Sequence, residues 1–234
     1  GAYVGFDPAG GRTVKVRIGV SCTSVAQARA NLEAEVPGFA FDSERREASR
    51  RWARALDRIE VSGGQAAHRR TFYSTLYRSL VAPRTFSDAS GTYTGMDLKV
   101  HEVADGRTHY ADFSLWDTYR SQIPLLAMLY PKRAGDIATS LLAGAKQSGC
   151  LPKWGYATGQ TMVMVGDPAA PALAAIDALG QGGFNRKQAL KALLRGADEV
   201  CRSPNNGDYV QRQGLADYLY QGFIGYEDNQ ASGV

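Results

Sequence analysis

Cysteine is scarce in this chain of 234 residues: there are three, Cys22, Cys150 and Cys201, widely separated and with no Cys-x-x-Cys pair. That spacing indicates neither a zinc site nor a disulfide framework, and an odd count is best met by buried free thiols. Histidine is just as rare, and His68, His101 and His109 do not stand at metal-ligand spacing, which marks them as structural. No run approaches the roughly 18 apolar residues of a membrane span, and the richest, 123–130, is far too short, so no membrane insertion is expected. The opening Gly1-Ala2-Tyr3-Val4-Gly5 lacks a basic region followed by an apolar one, so no signal peptide is visible. The GxSxG, P-loop, GxGxxG and HExxH patterns are missing as well, which removes sequence support for those chemistries. An excess of one charge is lacking too: 27 basic and 23 acidic residues leave only +4. A dedicated nucleic-acid surface concentrates its excess on one face. Arg46, Arg50, Arg54 and Arg58 form a helical stripe, but Glu44, Glu47 and Asp57 lie among them, as on a solvated, partly paired face. No nucleic-acid partner is expected.

What is present is a hydrophobic content of 44%, enough for a real core. Val14, Val16, Ile18 and Val20 alternate with Lys15 and Arg17, a period of two that predicts a half-buried strand over 13–21. A lone strand is not stable, so the pattern implies a sheet whose remainder lies elsewhere. Helices are predicted from Ser24 to Glu35, from an Asp42-Ser43 cap to about Ile59, and from Gln65 to just before Pro83. Residues 84–112 read as an excursion with a small hairpin. The pattern then returns to helix: 116–130 with a kink or break at Pro124, 133–148 closed by Gly149, an unusually apolar inner helix over 171–179, a helix from an Asn185 cap to about Arg202, and a short one at 215–220. Six or seven helices joined by long loops describe a mainly α bundle or toroid, and a full toroid of six hairpins needs roughly twice this length.

Two clusters can carry chemistry. In Asp112-Phe-Ser-Leu-Trp-Asp-Thr-Tyr-Arg120, Asp117 stands near a helix start, where a carboxylate can cap free N–H groups. Alternatively, Trp116 offers a platform and Asp117 an acceptor, a combination that suits the apolar face and hydroxyl rim of a sugar. Arg120 either holds Asp117 ionised or pairs with another acid. The second cluster is Leu151-Pro-Lys-Trp154-Gly-Tyr156 followed by Met164-Val-Gly-Asp167-Pro168, where Trp154 and Tyr156 line a pocket or pack beneath one, and Asp167 can be a turn residue. These residues alone do not choose a reaction.

The segment Phe113-Ser-Leu-Trp-Asp-Thr-Tyr-Arg120, with Pro124-Leu-Leu after it, resembles the signature of glycoside hydrolase family 92, the calcium-dependent α-mannosidases. The likeness extends in order through Asn31–Glu35, Ala55–Val61, Thr71–Tyr77, Ala82-Pro83, Phe86–Asp88, Gly149–Trp154 and Met164–Pro168. It implies a partial chain from the middle of such an enzyme: 1–23 the tail of a β-sandwich, 24–63 linker helices, and 64–234 the first part of an (α/α)6 toroid. It implies release of terminal α-linked mannose, in α-1,2 linkage, from a glycan, with inversion and with Ca2+ bound. Trp116, Asp117, Asp167 and Trp154 fall at substrate-binding positions. The general acid, the general base and the calcium ligands are expected outside this chain, in the remainder of the polypeptide, so no catalytic residue is assigned here and the chain alone is expected to be inactive. The family's substrates imply a secreted or periplasmic enzyme. Cys150 and the 160–163 stretch depart from the family pattern. A non-catalytic carbohydrate-binding or structural role is the alternative.

Overall fold

The computed structural model describes residues 3–104, 106–161, 163–164, 166–180, 182–203 and 209–225. Helix α1 (Val25–Glu35) starts where Ser24 accepts the Gln27 N–H on its side chain, at 3.1 Å. Helix α2 (Phe41–Leu56) begins at an Ala40 cap without side-chain help and stops three residues before Ile59, and α3 (Ala66–Ser79) follows. The excursion contains two nested antiparallel pairs. Strand β1 (Arg84–Thr85) meets β4 (Tyr110–Ala111) outside, and β2 (Thr92–Thr94) meets β3 (Val100–Glu102) inside.

Helix α4 (Leu115–Thr118) is a single turn and α5 (Gln122–Leu129) begins afresh. The expected break therefore falls at 119–121, ahead of Pro124, which sits in the first turn of α5 where its missing N–H costs nothing. Helix α6 (Pro131–Ser148) has Pro at its start and Gly149 at its end, with φ of 86°. A two-residue pair, β5 (Gly155–Tyr156) with β6 (Gly159–Gln160), precedes α7 (Ala169–Leu179). Asn185 caps α8 (Arg186–Asp198) by accepting the Gln188 N–H at 3.0 Å. Strands β7 (Arg202–Ser203) and β8 (Tyr209–Val210) pair, and α9 (Leu215–Gln221) is last. The fold is mainly helical, as expected.

The core lies where α5, α6 and α7 pack together, with Leu126, Ile137, Leu141, Leu173 and Ile176 at most 2% exposed. Helix α7 is the inner helix its apolar sequence predicts. Gly135 on α6 allows a close approach, since a Cβ there would lie 3.1 Å from the carbonyls of Gly182 and Gly183 and they would have to give way. The arginine face of α2 is solvated: none of its residues is buried, and Glu47 pairs with Arg50, Arg51 and Arg54. No helix among the described residues is long and apolar enough to cross a membrane.

Two expectations are corrected. Residues 13–21 form no strand, and Val14, Val16, Ile18 and Val20 are 47–79% exposed. The alternation is real, but a strand is defined by its ladder, and no partner strand lies beside this segment among the described residues. The second correction concerns the thiols. Cys150 and Cys201 are joined in a disulfide, and only Cys22 is free. Their separation of 51 residues hid the pair; the packing of α6 against α8 brings the two helix ends, and hence the two cysteines, together. The polar tail 227–234 lies outside the described residues, as do Met162 and Val165 of the loop motifs.

Candidate functional site

The two clusters meet through the backbone. The Phe113 N–H donates to the Gly155 carbonyl at 2.9 Å, and the Leu115 N–H donates to the Lys153 carbonyl at 3.3 Å. Asp112, in the left-handed region with φ of 62°, accepts the Ala157 N–H at 2.9 Å. The segment before α4 is thus laid along the 153–157 turn. Phe113 and Leu115 anchor it, at 5% and 0% exposure, and the alternation leaves Trp116 half-buried and Asp117 exposed. Trp116, Asp117 and Trp154 stand on these two joined segments. Trp154 is half-buried, and its carbonyl accepts both the N–H and the hydroxyl of Thr161, at 3.1 and 2.9 Å. Tyr156 is exposed.

Asp117 does not cap the helix through its side chain, and its carboxylate has no hydrogen bond or ion pair among the described residues. Arg120 does not hold it. The guanidinium stacks on Tyr119 at 4.3 Å and on Trp116 at 5.2 Å, and donates to the Trp116 carbonyl at 3.0 Å. An exposed cation–π contact is worth about as much as a solvated ion pair, and here the guanidinium meets two rings. Arg120 therefore steadies the ring of Trp116 and leaves Asp117 open to accept hydrogen bonds.

Asp167 belongs to a different layer. It follows Gly166, whose φ is 74°, so a turn is indeed present, but its side chain is engaged inward. The carboxylate Oδ2 accepts from Gln211 Nε2 at 2.9 Å and from Arg212 Nε at 3.0 Å. Gln211 is 2% exposed and its Oε1 accepts the Leu151 N–H at 3.0 Å, while the Tyr209 hydroxyl donates to the Leu151 carbonyl at 3.2 Å. The disulfide ties Cys150, next in the chain, to Cys201. Gly196 makes room for Gln211: a Cβ there would stand 2.4 Å from Nε2. The 151–157 turn is thereby held from below by residues 50 to 60 positions away.

Sequence reasoning missed Lys153, Tyr209, Gln211 and Arg212. Lys153 is 4% exposed, and burial lowers its affinity for a proton while the nearby Asp167 charge partly opposes this. Burial raises the Tyr209 phenol well above its ordinary range, and Asp167 adds to the effect. A lysine among apolar neighbours in Leu-Pro-Lys-Trp was the one signal available; nothing local marked the 209–212 partners.

His101 bonds to Asp97 at 2.9 Å, and His109 stacks on Tyr93 with ring centroids 3.7 Å apart. No group of three or more His, Cys, Asp or Glu among the described residues could hold a metal ion. Calcium takes six to eight oxygen ligands. Asp117 and Asp167 lie on separate segments and Asp167 is already bound by two nitrogen donors, so these residues do not assemble such a site.

Residues 27–234 match the sequence model of the glycosyl hydrolase family 92 catalytic domain. The chain is 28% identical to the family GH92 α-mannosidase BT3965 of Bacteroides thetaiotaomicron, with a TM-score of 0.77, covering 88% of this chain and 26% of that one. It is 29% identical to the GH92 inverting mannosidase BT2199 of the same organism, with a TM-score of 0.78 over 88% of this chain and 28% of that one. An uncharacterized secreted glycosidase of Arthroderma benhamiae is 32% identical over 130 residues, which are 52% of this chain and 16% of that protein. The chain thus spans less than a third of these relatives.

Proposed function

Because the chain belongs to glycosyl hydrolase family 92, we propose that the polypeptide containing it releases terminal α-linked mannose, with preference for the α-1,2 linkage, from glycans. In this reading Trp116, Trp154, Asp117 and Asp167 receive the sugar: the indoles cover its apolar face and the carboxylates accept from its hydroxyls. The observation that supports it is the joining of 113–115 to 153–155, which brings together the segments that carry Trp116, Asp117 and Trp154.

Inverting hydrolysis needs one carboxylic acid to protonate the leaving oxygen and one carboxylate to activate water, about 6.5–9.5 Å apart. Asp117 is not offered for either task. Both groups, and the ligands of a calcium ion that would bind sugar hydroxyls, are assigned to the rest of the polypeptide. What this chain does is bind and orient. Residues 1–23 are read as the edge of a preceding β-sandwich, 24–63 as linker helices, and 64–234 as the opening part of an (α/α)6 toroid; the uncovered alternation of 14–20 supports the first of these. A disulfide persists in oxidising compartments. The Cys150–Cys201 bond, together with a secreted relative, supports export.

The test follows the full polypeptide acting on an α-1,2-mannobiose by time-resolved proton NMR, with calcium or with a chelator. β-Mannose as the first product, abolished by chelation, is expected. α-Mannose first would overturn inversion, and undiminished turnover in chelator would remove calcium.

A further inference from the structure

Arg58 stands apart from its neighbours in the arginine stripe. Glu47 pairs with Arg50, Arg51 and Arg54, whereas Arg58, just past the end of α2, lies over the ring of Tyr130, 5.8 Å from its centroid. Arg133, in the first turn of α6, lies over the same ring at 5.5 Å. Two guanidinium groups distant in sequence thus converge on one tyrosine. Lys132 adds a third cation, and all three line one open cavity of about 420 Å3. Asp136 is the carboxylate on its wall, and that charge is already matched, since Oδ1 accepts from Arg107 Nη1 at 2.9 Å. No carboxylate stands within ion-pair distance of Arg58, Lys132 or Arg133 among the described residues. The first turn of α6 holds no acidic residue either, although the helix dipole disfavours cations there.

A solvated face intersperses its cations with acids, as α2 does around Glu47. This cavity gathers three cations and leaves them unmatched, and its walls concentrate their field. The ligand that offsets them is negative and carries several acceptor atoms. A tetrahedral oxyanion meets both conditions: guanidinium groups donate to its oxygens in pairs, and an ammonium acts as a point charge beside them. We propose that Arg58, Lys132 and Arg133 form a binding site for a tetrahedral oxyanion of the phosphate type, free or as the ester of a sugar. The cavity volume lies in the range of small-molecule sites, so the ester fits as well as the bare ion. None of the three residues is assigned to the sugar surface proposed above, so the inference does not depend on the mannosidase reading.

The experiment is a calorimetric titration of the full polypeptide with inorganic phosphate, at constant ionic strength so that screening does not imitate binding. Saturable binding at a single site is expected, displaced by sulfate and not by chloride. The double variant Arg58→Gln/Arg133→Gln keeps polar side chains and removes both charges. A hydrogen bond to a charged group corresponds to about a 10- to 100-fold loss of affinity when removed, and at least that loss is expected. Lys132→Gln gives a second reading if the double variant fails to fold, with a loss of about tenfold. Glucose 6-phosphate separates the two sources. Clearly tighter binding than that of phosphate supports the site as one for an ester, and equal or weaker binding supports it as one for the free ion. Absence of phosphate binding, displacement by chloride, or variants that bind phosphate as the unsubstituted protein does would each overturn the inference. Mannobiose hydrolysis enters none of these readouts, so the failure of either reading is visible without the other.

Discussion

His109 shows how a single side chain couples this fold to pH. It is stacked on Tyr93, and burial, with a smaller contribution from the charge of His101, lowers its pKa from 6.5 to about 4. The neutral ring is the one the fold accepts, so the unfolded chain binds more protons between these two values. Stability from this residue is therefore fully present above pH 6.5 and is lost as pH falls towards 4, at up to about 1.4 kcal/mol per pH unit. His109→Gln should lower stability at neutral pH and flatten this slope, measured as melting temperature against pH. An unchanged slope would show that another group titrates there. The same scale explains what the sequence made legible. Trp116 and Asp117 could be singled out as an aromatic platform beside a carboxylate near a helix start, and Trp154 as an aromatic in a glycine-bearing loop. Lys153 could not, since its burial depends on partners distant in sequence, such as Tyr209.

At the scale of elements, local signals worked where local physics decides. Ser24 and Asn185 cap their helices as their positions imply, Gly149 closes α6, and the apolar run of α7 lies inside. Patterns that need a distant partner did not. The alternation at 14–20 has no ladder among the described residues, and the cysteines at 150 and 201 meet because two helix ends are neighbours. That bond spans 51 positions and encloses Lys153, Trp154 and Asp167. A loop of that length corresponds to about 4 kcal/mol of stabilisation in the chain-entropy description. Replacing both cysteines by serine should lower the melting temperature and speed amide exchange in 150–157 and 209–212, read by hydrogen–deuterium exchange. Exchange unaltered in both stretches would show that the hydrogen bonds of Tyr209 and Gln211 hold the turn without the disulfide.

At the scale of the whole molecule, the chain accounts for about a quarter of the length of its solved relatives. In the proposed reading its contribution, binding and orienting, is separable from the chemistry assigned to the rest of the polypeptide. Asp117 offers that separation. It is exposed, its carboxylate engages no other side chain among the described residues, and substitutions of that kind usually change stability by less than about 0.5 kcal/mol. Its loss should be felt only when a sugar is present. The decisive measurement is kcat/KM on an α-1,2-mannobiose for the full polypeptide, unsubstituted and as Asp117→Ala, with melting curves of both. The account predicts a drop of about 100-fold or more with the melting temperature unchanged. Equal kcat/KM for the two proteins would contradict it.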